Sequence, residues 1–187
     1  MARDPERRQV WTREATDYAL RHGLIGLSLR PLAASLGTSD RMLLYHFGTK
    51  DDLVAAILRE SNDRAVAGVT GLAPSQDLQA AVHDLWALVR SPGLEACSRL
   101  YVEAAALGLL GHEPYASVVL EANARWYGSL VTHLTNSGVA RPLAERAATI
   151  TDAAFMGFQL DAPLYAGTPA AKRAVADLAE AVAALGR

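Results

Sequence analysis

The stretch from residue 27 to residue 53 constrains the fold more than any other part of the chain, and it reads LSLRPLAASLGTSDRMLLYHFGTKDDL. Its first part can form a short helix that Ser28 caps and that Gly37 ends, because glycine readily adopts the left-handed conformation. Ser39 offers a second N-cap, for a helix that reaches about Phe47. Two short helices joined by a tight turn form a helix-turn-helix unit, whose second helix enters the major groove of DNA.

The second of these helices has two different faces at about 100° per residue. We expect Leu43, Leu44 and Phe47 to pack on the first helix. The outward set is then Arg41, Met42, Tyr45 and His46. A guanidinium can donate two hydrogen bonds to guanine, a thioether can contact a thymine methyl group, and phenol or imidazole groups can reach phosphates or base edges. The alternative is an ordinary helical hairpin with a mixed surface.

The beginning of the next helix has features that favour binding of a phosphate group. Thr49 can cap this helix, with Asp52 three residues later in a variant of the capping box. Lys50 lies at the positive end of the helix dipole, where a cation is mildly unfavourable unless an anion binds beside it. A solvated surface lysine is the alternative. The predicted DNA-binding residues are Ser28, Arg30, Thr38, Ser39, Arg41, Met42, Tyr45, His46 and Lys50.

Several of these positions keep a familiar spacing. The positions are Ala33, Gly37, Ser39, Tyr45-His46-Phe47 and Lys50-Asp51-Asp52-Leu53. With them, the stretch resembles the N-terminal signature of the tetracycline-repressor (TetR) family of bacterial transcription regulators. The resemblance implies an all-helical homodimer with a three-helix DNA-binding domain and a C-terminal domain that binds a small effector and releases DNA. The family most often has a phosphate-contacting tyrosine where this chain has Leu44, so either Tyr45 or His46 takes over that contact or it is lost.

Apolar periods separated by proline and glycine predict about nine helices. The first opens at Asp4-Pro5-Glu6 and closes at Gly23, and the helix that Thr49 opens runs to about Gly71. Five more are expected over about 75–90, 94–110, 114–137, 142–161 and 169–185. Arg3, Arg7 and Arg8, at the free end of the first helix, either touch the DNA backbone or are solvated.

The predicted fold class is all-α, with an N-terminal three-helix helix-turn-helix domain and a C-terminal helical ligand-binding and dimerisation domain. We place the DNA-binding domain at residues 1–50 and the effector-binding and dimerisation domain at residues 51–187, bridged by the helix from Thr49. Residues 1–60 carry nine Lys/Arg and eight Asp/Glu, against nine and twelve in residues 61–187. DNA affinity must therefore come from local placement of charge and not from bulk charge.

Bulky and polar residues of the middle helices are the candidates for an effector pocket. They are Trp86, Arg99, Tyr101, Glu103, Asn123, Trp126, Tyr127, Phe155, Met156, Phe158 and Gln159. Plain core packing is the alternative for the aromatic members. Stripes of small residues on the last two helices predict a four-helix interface with a two-fold mate. These residues are Ala147, Ile150, Thr151, Ala154, Ala174, Leu178, Ala181 and Leu185, and packing within one subunit is the alternative.

Other function classes find little support in the sequence. The five histidines are dispersed, and there is no H-E-x-x-H, phosphate loop or nucleophile elbow, so we expect no enzyme, no cofactor and no metal. The single Cys97, a charged N-terminus and the lack of a long apolar run predict a cytoplasmic protein without a membrane segment. The expected partners are a double-stranded DNA operator, a small-molecule effector and a second copy of the chain. The remaining hypothesis is a helical small-molecule-binding or interaction protein that no longer reads DNA.

Overall fold

A computed structural model describes residues 4–165 and 169–186, which form nine α-helices and no strand. The helices are α1 Pro5–His22, α2 Leu29–Ser35, α3 Asp40–Phe47, α4 Lys50–Thr70, α5 Leu78–Val89, α6 Pro92–Leu109, α7 Tyr115–Asn136, α8 Arg141–Tyr165 and α9 Pro169–Ala184. The predicted all-α fold class is confirmed.

Local capping sets the beginnings of α1 and α4 as the sequence predicts. The Asp4 carboxylate accepts hydrogen bonds from the backbone N–H groups of Glu6 at 3.0 Å and Arg7 at 3.2 Å. At α4, the Asp52 N–H donates to the Thr49 hydroxyl at 3.0 Å, and the Thr49 N–H donates back to the Asp52 carboxylate at 3.0 Å. This reciprocal pair is a capping box, which satisfies two donors that a helix end leaves open.

Two helix boundaries differ from the sequence prediction. The fifth helix begins at Leu78 and not near Ser75, because Asp77 is the cap and accepts from the Ala80 N–H at 2.8 Å. The eighth helix does not end near residue 161 but continues through Pro163 to Tyr165. A proline so close to the end removes one of the last backbone donors, which costs the helix less than a proline in its middle.

The chain divides into two compact units, each with its own core. The first unit comprises Met1–Ala65 and Pro92–Ala124, and the second comprises Val66–Ser91 and Arg125–Arg187. The first core includes Trp11, Ala15, Leu24, Leu32, Leu43, Phe47, Leu53, Ile57, Leu100 and Val118. The second includes Val69, Ala81, Leu85, Leu130, Leu134, Ala144, Ala148, Phe155, Ala179 and Val182. The proposed functional boundary between residues 50 and 51 stays a prediction.

Contacts between helices follow the same division. In the first unit, α1 packs on α2 and α6, and α2 packs on α3. In the second unit, α9 packs on α5 and on α8. The helix α4 contributes to both units, because its residues up to Ala65 belong to the first and those from Val66 to the second. At 1.5 Å per residue, α4 is about 30 Å long.

Candidate nucleic-acid interface

The turn between α2 and α3 holds the two helices in a fixed geometry. Gly37 adopts φ +64°, a left-handed conformation that is costly for residues with a side chain. The Thr38 N–H then donates to the Ala33 carbonyl at 2.9 Å, and the Met42 N–H donates to the Ser39 hydroxyl at 3.3 Å. The predicted helix end at Gly37 and the predicted cap at Ser39 are therefore confirmed.

Ser28 differs from the prediction in one respect. It occupies the N-cap position of α2 with an extended backbone, φ −112° and ψ 137°, but its side chain makes no capping hydrogen bond. Ser28 is exposed. Its hydroxyl thus keeps its donor and acceptor for water or for a phosphate oxygen.

The buried face of α3 is rotated from the predicted one. Leu43 and Phe47 are buried as expected, but His46 is also buried, with 5% of its surface exposed. Leu44, which we expected inside, is 36% exposed. The predictions that His46 faces outward and that Leu44 packs inward are therefore wrong.

The geometry of α3 explains this rotation. Positions 43, 46 and 47 are related by steps of three and four residues and so share one side of the helix, whereas position 44 lies about 100° away from position 43. His46 packs edge-on against the Trp11 ring of α1, with the ring centroids 4.9 Å apart. A partly polar side chain replaces the leucine that the apolar pattern favours at this place in the core.

Arg41, Met42 and Leu44 are exposed on α3, as is Asp40 at its beginning. Met42 is 38% exposed, which leaves its thioether accessible to a flat apolar group such as a thymine methyl. Tyr45 is partly buried, and its ring lies edge-on to His46 at 5.2 Å. Apart from His46 and Tyr45, the predicted DNA-binding residues Ser28, Arg30, Ser39, Arg41, Met42 and Lys50 are exposed, and Thr38 is partly buried.

Arginines at the beginning of α1 lie against the aromatic rings of the same unit. The Arg7 guanidinium lies 5.6 Å from the Trp11 ring centroid, and the Arg8 guanidinium lies 5.2 Å from that of Phe47. Such cation–π contacts orient a guanidinium and leave its N–H groups free to donate. Arg3 lies outside the described residues.

Glu103 has a role that the sequence does not reveal. Its carboxylate accepts hydrogen bonds from the backbone N–H groups of Leu24 at 2.6 Å and Ile25 at 2.8 Å, in the segment that joins α1 to α2. A cleft of about 350 Å³ adjoins this contact and is lined by α1 and α6, with Arg99 and Glu103 among its residues. In the first unit, these two predicted pocket residues therefore lie beside the helix-turn-helix and not in an aromatic cavity.

Aromatic pocket candidates of the second unit do come together. The Trp86 ring centroid lies 5.0 Å from that of Phe155 and 5.8 Å from that of Phe158. The Trp126 indole N–H donates to the Asp152 carboxylate at 2.8 Å. Asp152 was not among the predicted residues, and its place three residues before Phe155 is the signal that would have found it.

The other pocket candidates are distributed between the units. Tyr101 is partly buried and Asn123 is exposed, both in the first unit. In the second unit, the Tyr127 hydroxyl donates to the Glu145 carbonyl at 3.0 Å, so this phenol is already engaged. Met156 and Gln159 are partly buried on α8.

Part of the predicted dimer interface is turned inward. Ala147 is 0% exposed and Thr151 is 2% exposed within the second core, so neither can meet a partner. Ile150, by contrast, is 43% exposed, and Ala181 is exposed. Ala154, Ala174, Leu178 and Leu185 are partly buried. The helix α8 thus has two apolar faces, and the predicted interface contains residues from both.

Two further features are absent from the described ranges, 4–165 and 169–186. Within them, no three His, Cys, Asp or Glu side chains are grouped as a metal site would require. No helix there combines the length and the apolar character needed to cross a membrane.

The interface lies within a segment of the sequence that matches a known protein family. Residues 13–57, which include α2, α3 and the capping box of α4, match the family of bacterial regulatory proteins described as the tetR family. The segment that carries the helix-turn-helix is thus of the tetR-family type. A chain with this segment is a DNA-binding transcriptional regulator and not an enzyme, and the alternative of a protein that does not recognise DNA is not favoured.

Solved structures of similar fold span nearly the whole chain. A transcriptional regulator from Rhodococcus sp. Rha1 has a TM-score of 0.74 and 22% identity, covering 94% of this chain and 95% of that chain. A proposed transcriptional regulator from Saccharomonospora viridis, solved with choline, has a TM-score of 0.69 and 21% identity, with 95% of each chain covered. The multidrug binding protein EbrR, solved with imidazole, has a TM-score of 0.65 and 27% identity, with 95% of each chain covered. Curated proteins gave no match.

Proposed function

We propose that this tetR-family chain is a homodimeric repressor that reads an inverted-repeat operator through α3 and is released by a small-molecule effector. The observation that carries the proposal is the pairing of an exposed Arg41–Met42 face with Lys50 at the capped beginning of α4. Arg41 supplies a fork of donors for a guanine edge, and Met42 supplies an apolar contact. Lys50 and the open N–H groups of α4 supply an anion site for a backbone phosphate.

The other exposed candidates have roles in positioning. Ser28, Arg30 and Ser39 lie at the beginnings of α2 and α3, where hydroxyl and guanidinium groups can donate to phosphates. Leu44 takes the exposed place where the resemblance expects a phosphate-contacting tyrosine. Tyr45 therefore remains the candidate for that contact, whereas His46 is withdrawn because it is buried.

Effector binding is assigned to the helices from residue 51 onward, in keeping with the proposed domain division at residues 1–50 and 51–187. Two of the similar structures were solved with choline and imidazole, which are small organic molecules. For such a molecule the second unit of this chain offers the rings of Trp86, Phe155 and Phe158, and Trp126 with its hydrogen bond to Asp152. The continuous helix α4 contributes to both units and is the proposed route by which occupancy affects DNA binding.

A two-fold mate is assigned to the exposed apolar face of α8. Ile150 and Leu160 are 43% and 52% exposed, and small residues such as Ala153 lie between them. Small side chains let two helices approach closely, and burying the exposed aliphatic groups stabilises the dimer. A dimer also supplies the two recognition helices that half-sites about one helical turn apart require. Since its target is bacterial DNA, we assign the protein to the cytoplasm.

The dimer surface is tested by Ile150→Glu combined with Leu160→Lys. Both residues are exposed in one protomer, so the change should leave the fold intact while placing charges in the interface. We expect the variant to sediment as a monomer and to bind an inverted repeat at least tenfold more weakly. Leu120→Glu, at a residue that is 74% exposed elsewhere on the surface, is the matched control. A dimeric double variant would contradict this interface.

DNA recognition is tested by selecting random duplexes with the purified chain and sequencing those retained. We expect enrichment of an inverted repeat whose half-sites contain a guanine contacted by Arg41. The Arg41→Ala variant, selected in parallel, should enrich the same spacing with relaxed preference at that base pair. If the wild-type chain enriches no sequence, the proposed operator-reading function is wrong.

A further inference from the structure

The inference begins with a carboxylate in the second unit. Asp152 lies on α8 and is partly buried, and its Oδ1 accepts a 2.8 Å hydrogen bond from the indole Nε1 of Trp126 on α7. A buried indole N–H needs an acceptor, but a neutral amide or a backbone carbonyl meets that need without bringing a charge into the interior. The presence of a carboxylate thus calls for a further explanation.

Within the described part of the chain, this carboxylate has no ion-pair partner. Among the described residues, no lysine, arginine or histidine forms an ion pair with Asp152, although Arg141, Arg59 and Arg64 all pair with other acids. Burial raises the pKa of Asp152 above its ordinary range, and the hydrogen bond from Trp126 only opposes this rise. Buried charges in proteins are normally paired, so an unpaired one marks a place where a ligand can supply the missing charge.

Aromatic rings adjoin the same face of α8. Phe155 lies three residues after Asp152, a spacing that places two side chains next to each other on a helix. Trp86 packs against Phe155 and Phe158 at centroid distances of 5.0 and 5.8 Å. Trp86, Trp126 and Phe158 are each only partly buried, so their ring surfaces remain accessible in part. Ring faces carry negative potential and attract cations, most strongly in the case of tryptophan.

We propose that the effector of this protein is a small organic cation, whose charge Asp152 balances and whose alkyl or aryl groups contact Trp126 and the neighbouring rings. This proposal rests on the proposed function, since it names the chemical class that the regulator responds to. Recognition of an ammonium centre by aromatic faces and one carboxylate distinguishes it from a neutral molecule of the same shape. An anionic effector is disfavoured at the same place by repulsion from Asp152.

The test compares ligands that differ only in charge. Choline and benzyltrimethylammonium are titrated into the full-length protein, with tryptophan fluorescence and calorimetry as the readouts. The neutral control is 3,3-dimethylbutan-1-ol, which has the shape of choline with carbon in place of nitrogen. We expect at least one cation to bind, and to bind at least tenfold more tightly than the neutral alcohol. Equal binding of the alcohol, or no binding of either cation, would overturn the proposal.

Two variants separate the charge from the structural role of Asp152. Asp152→Asn keeps an oxygen that accepts from the Trp126 indole but removes the negative charge, so we expect at least a tenfold loss of cation affinity. Glu145→Gln removes another carboxylate of the same helix, one that pairs with Arg141 at 3.0 Å, and should leave cation binding unchanged. Should Asp152→Asn fail to fold, Trp126→Leu keeps the carboxylate and an apolar side chain but removes the aromatic face, so we expect at least a tenfold loss of cation affinity. Unchanged cation affinity in a folded Trp126→Leu variant would contradict the proposal.

Operator binding without ligand is measured separately, so that the two claims can fail independently. A protein that binds the cation but no specific DNA would support this inference and contradict the proposed function. A protein that binds its operator but no cation would support the proposed function and contradict this inference. Unchanged cation affinity in a folded Asp152→Asn variant would show that the carboxylate only anchors the indole.

Discussion

The Glu103 carboxylate accepts a 2.6 Å hydrogen bond from the backbone N–H of Leu24, a residue 79 positions earlier in the chain. The same Oε2 accepts from Ile25, so one side chain of α6 holds the connection between α1 and α2. Gly23 permits this approach, since a Cβ there would lie 2.8 Å from the Glu103 Oε1. The position of the helix-turn-helix in its own unit therefore depends on a residue far from the DNA-binding motif.

Removing this contact should destabilise the first unit. A charged acceptor that satisfies two backbone donors contributes more than a neutral hydrogen bond, so we expect Glu103→Ala to lower the free energy of unfolding by about 1–2 kcal/mol. Glu103→Gln keeps an acceptor and should lose less. Urea denaturation is the measurement, and Glu180→Ala, an exposed acid of α9, is the control. Equal free energies of unfolding for Glu103→Ala and the control would show that the contact does not stabilise the first unit.

Arg41 and Lys50 should differ in how they affect DNA binding. We expect Arg41→Ala to cost about 1–3 kcal/mol of operator affinity and to relax sequence preference, because a base contact is lost. Lys50→Ala should weaken all duplexes similarly and reduce the salt dependence of binding, because a phosphate contact is lost. Fluorescence anisotropy over a series of salt concentrations measures both the affinity for each duplex and its salt dependence. The control is Arg59→Ala, an exposed arginine of α4 that pairs with Glu121, and wild-type binding by both test variants would contradict the proposed interface.

His133 should make the second unit sensitive to acid. It is 4% exposed, and its Nε2 lies 3.3 Å from the Ser75 hydroxyl, which donates to Asp84 at 2.6 Å. Burial lowers the pKa of His133, with the nearby Asp84 opposing this effect. The unfolded chain therefore binds more protons than the folded chain just below the ordinary histidine pKa of about 6.5. The free energy of unfolding should fall as the pH decreases through that range.

The test of this pH effect is denaturation at pH 7.5 and pH 5.5. His133→Gln keeps a donor for Ser75 but cannot take up a proton, so its stability should change less between the two values. A variant with the full wild-type pH dependence would show that other groups are responsible.

Asp152 should reduce stability when no ligand is bound. Its pKa is raised by burial, so the folded chain binds more protons than the unfolded chain between the two pKa values. Stability therefore falls as the pH rises through that window, and the full cost is present at neutral pH. Asp152→Asn should raise the melting temperature at pH 7.5, with a difference that narrows as the pH approaches 4. A lower melting temperature for this variant at pH 7.5 would mean that the charge stabilises the fold.

Local features of the fold follow from the sequence, whereas long-range contacts do not. Asp4, Ser39 and Thr49 were correctly predicted as caps, because capping depends on residues two or three positions apart. The Glu103 carboxylate is expected from the sequence to orient an effector, but it accepts hydrogen bonds from the α1–α2 connection. Nothing in the local pattern of α6 indicates which of its residues meets that connection.

The orientation of α3 shows the limit of apolar patterning. Leu44 fits the expected apolar stripe better than His46 does, but steps of three and four residues from Leu43 bring His46 inward. Trp11 provides a ring against which the imidazole packs, and this tertiary contact decides between the two orientations. Similarly, α8 has two apolar faces, and only the burial of Ala147 in the second core shows that it belongs to the inner one.

The most direct test of the account is the ratio of affinities for the selected inverted repeat and for a scrambled duplex of the same composition, measured at two salt concentrations. A regulator that reads base edges through α3 should prefer the repeat by about 10³-fold or more. Its affinity for both duplexes should fall steeply as salt increases, because phosphate contacts release counterions. A ratio near one at both salt concentrations would contradict sequence-specific recognition by this chain.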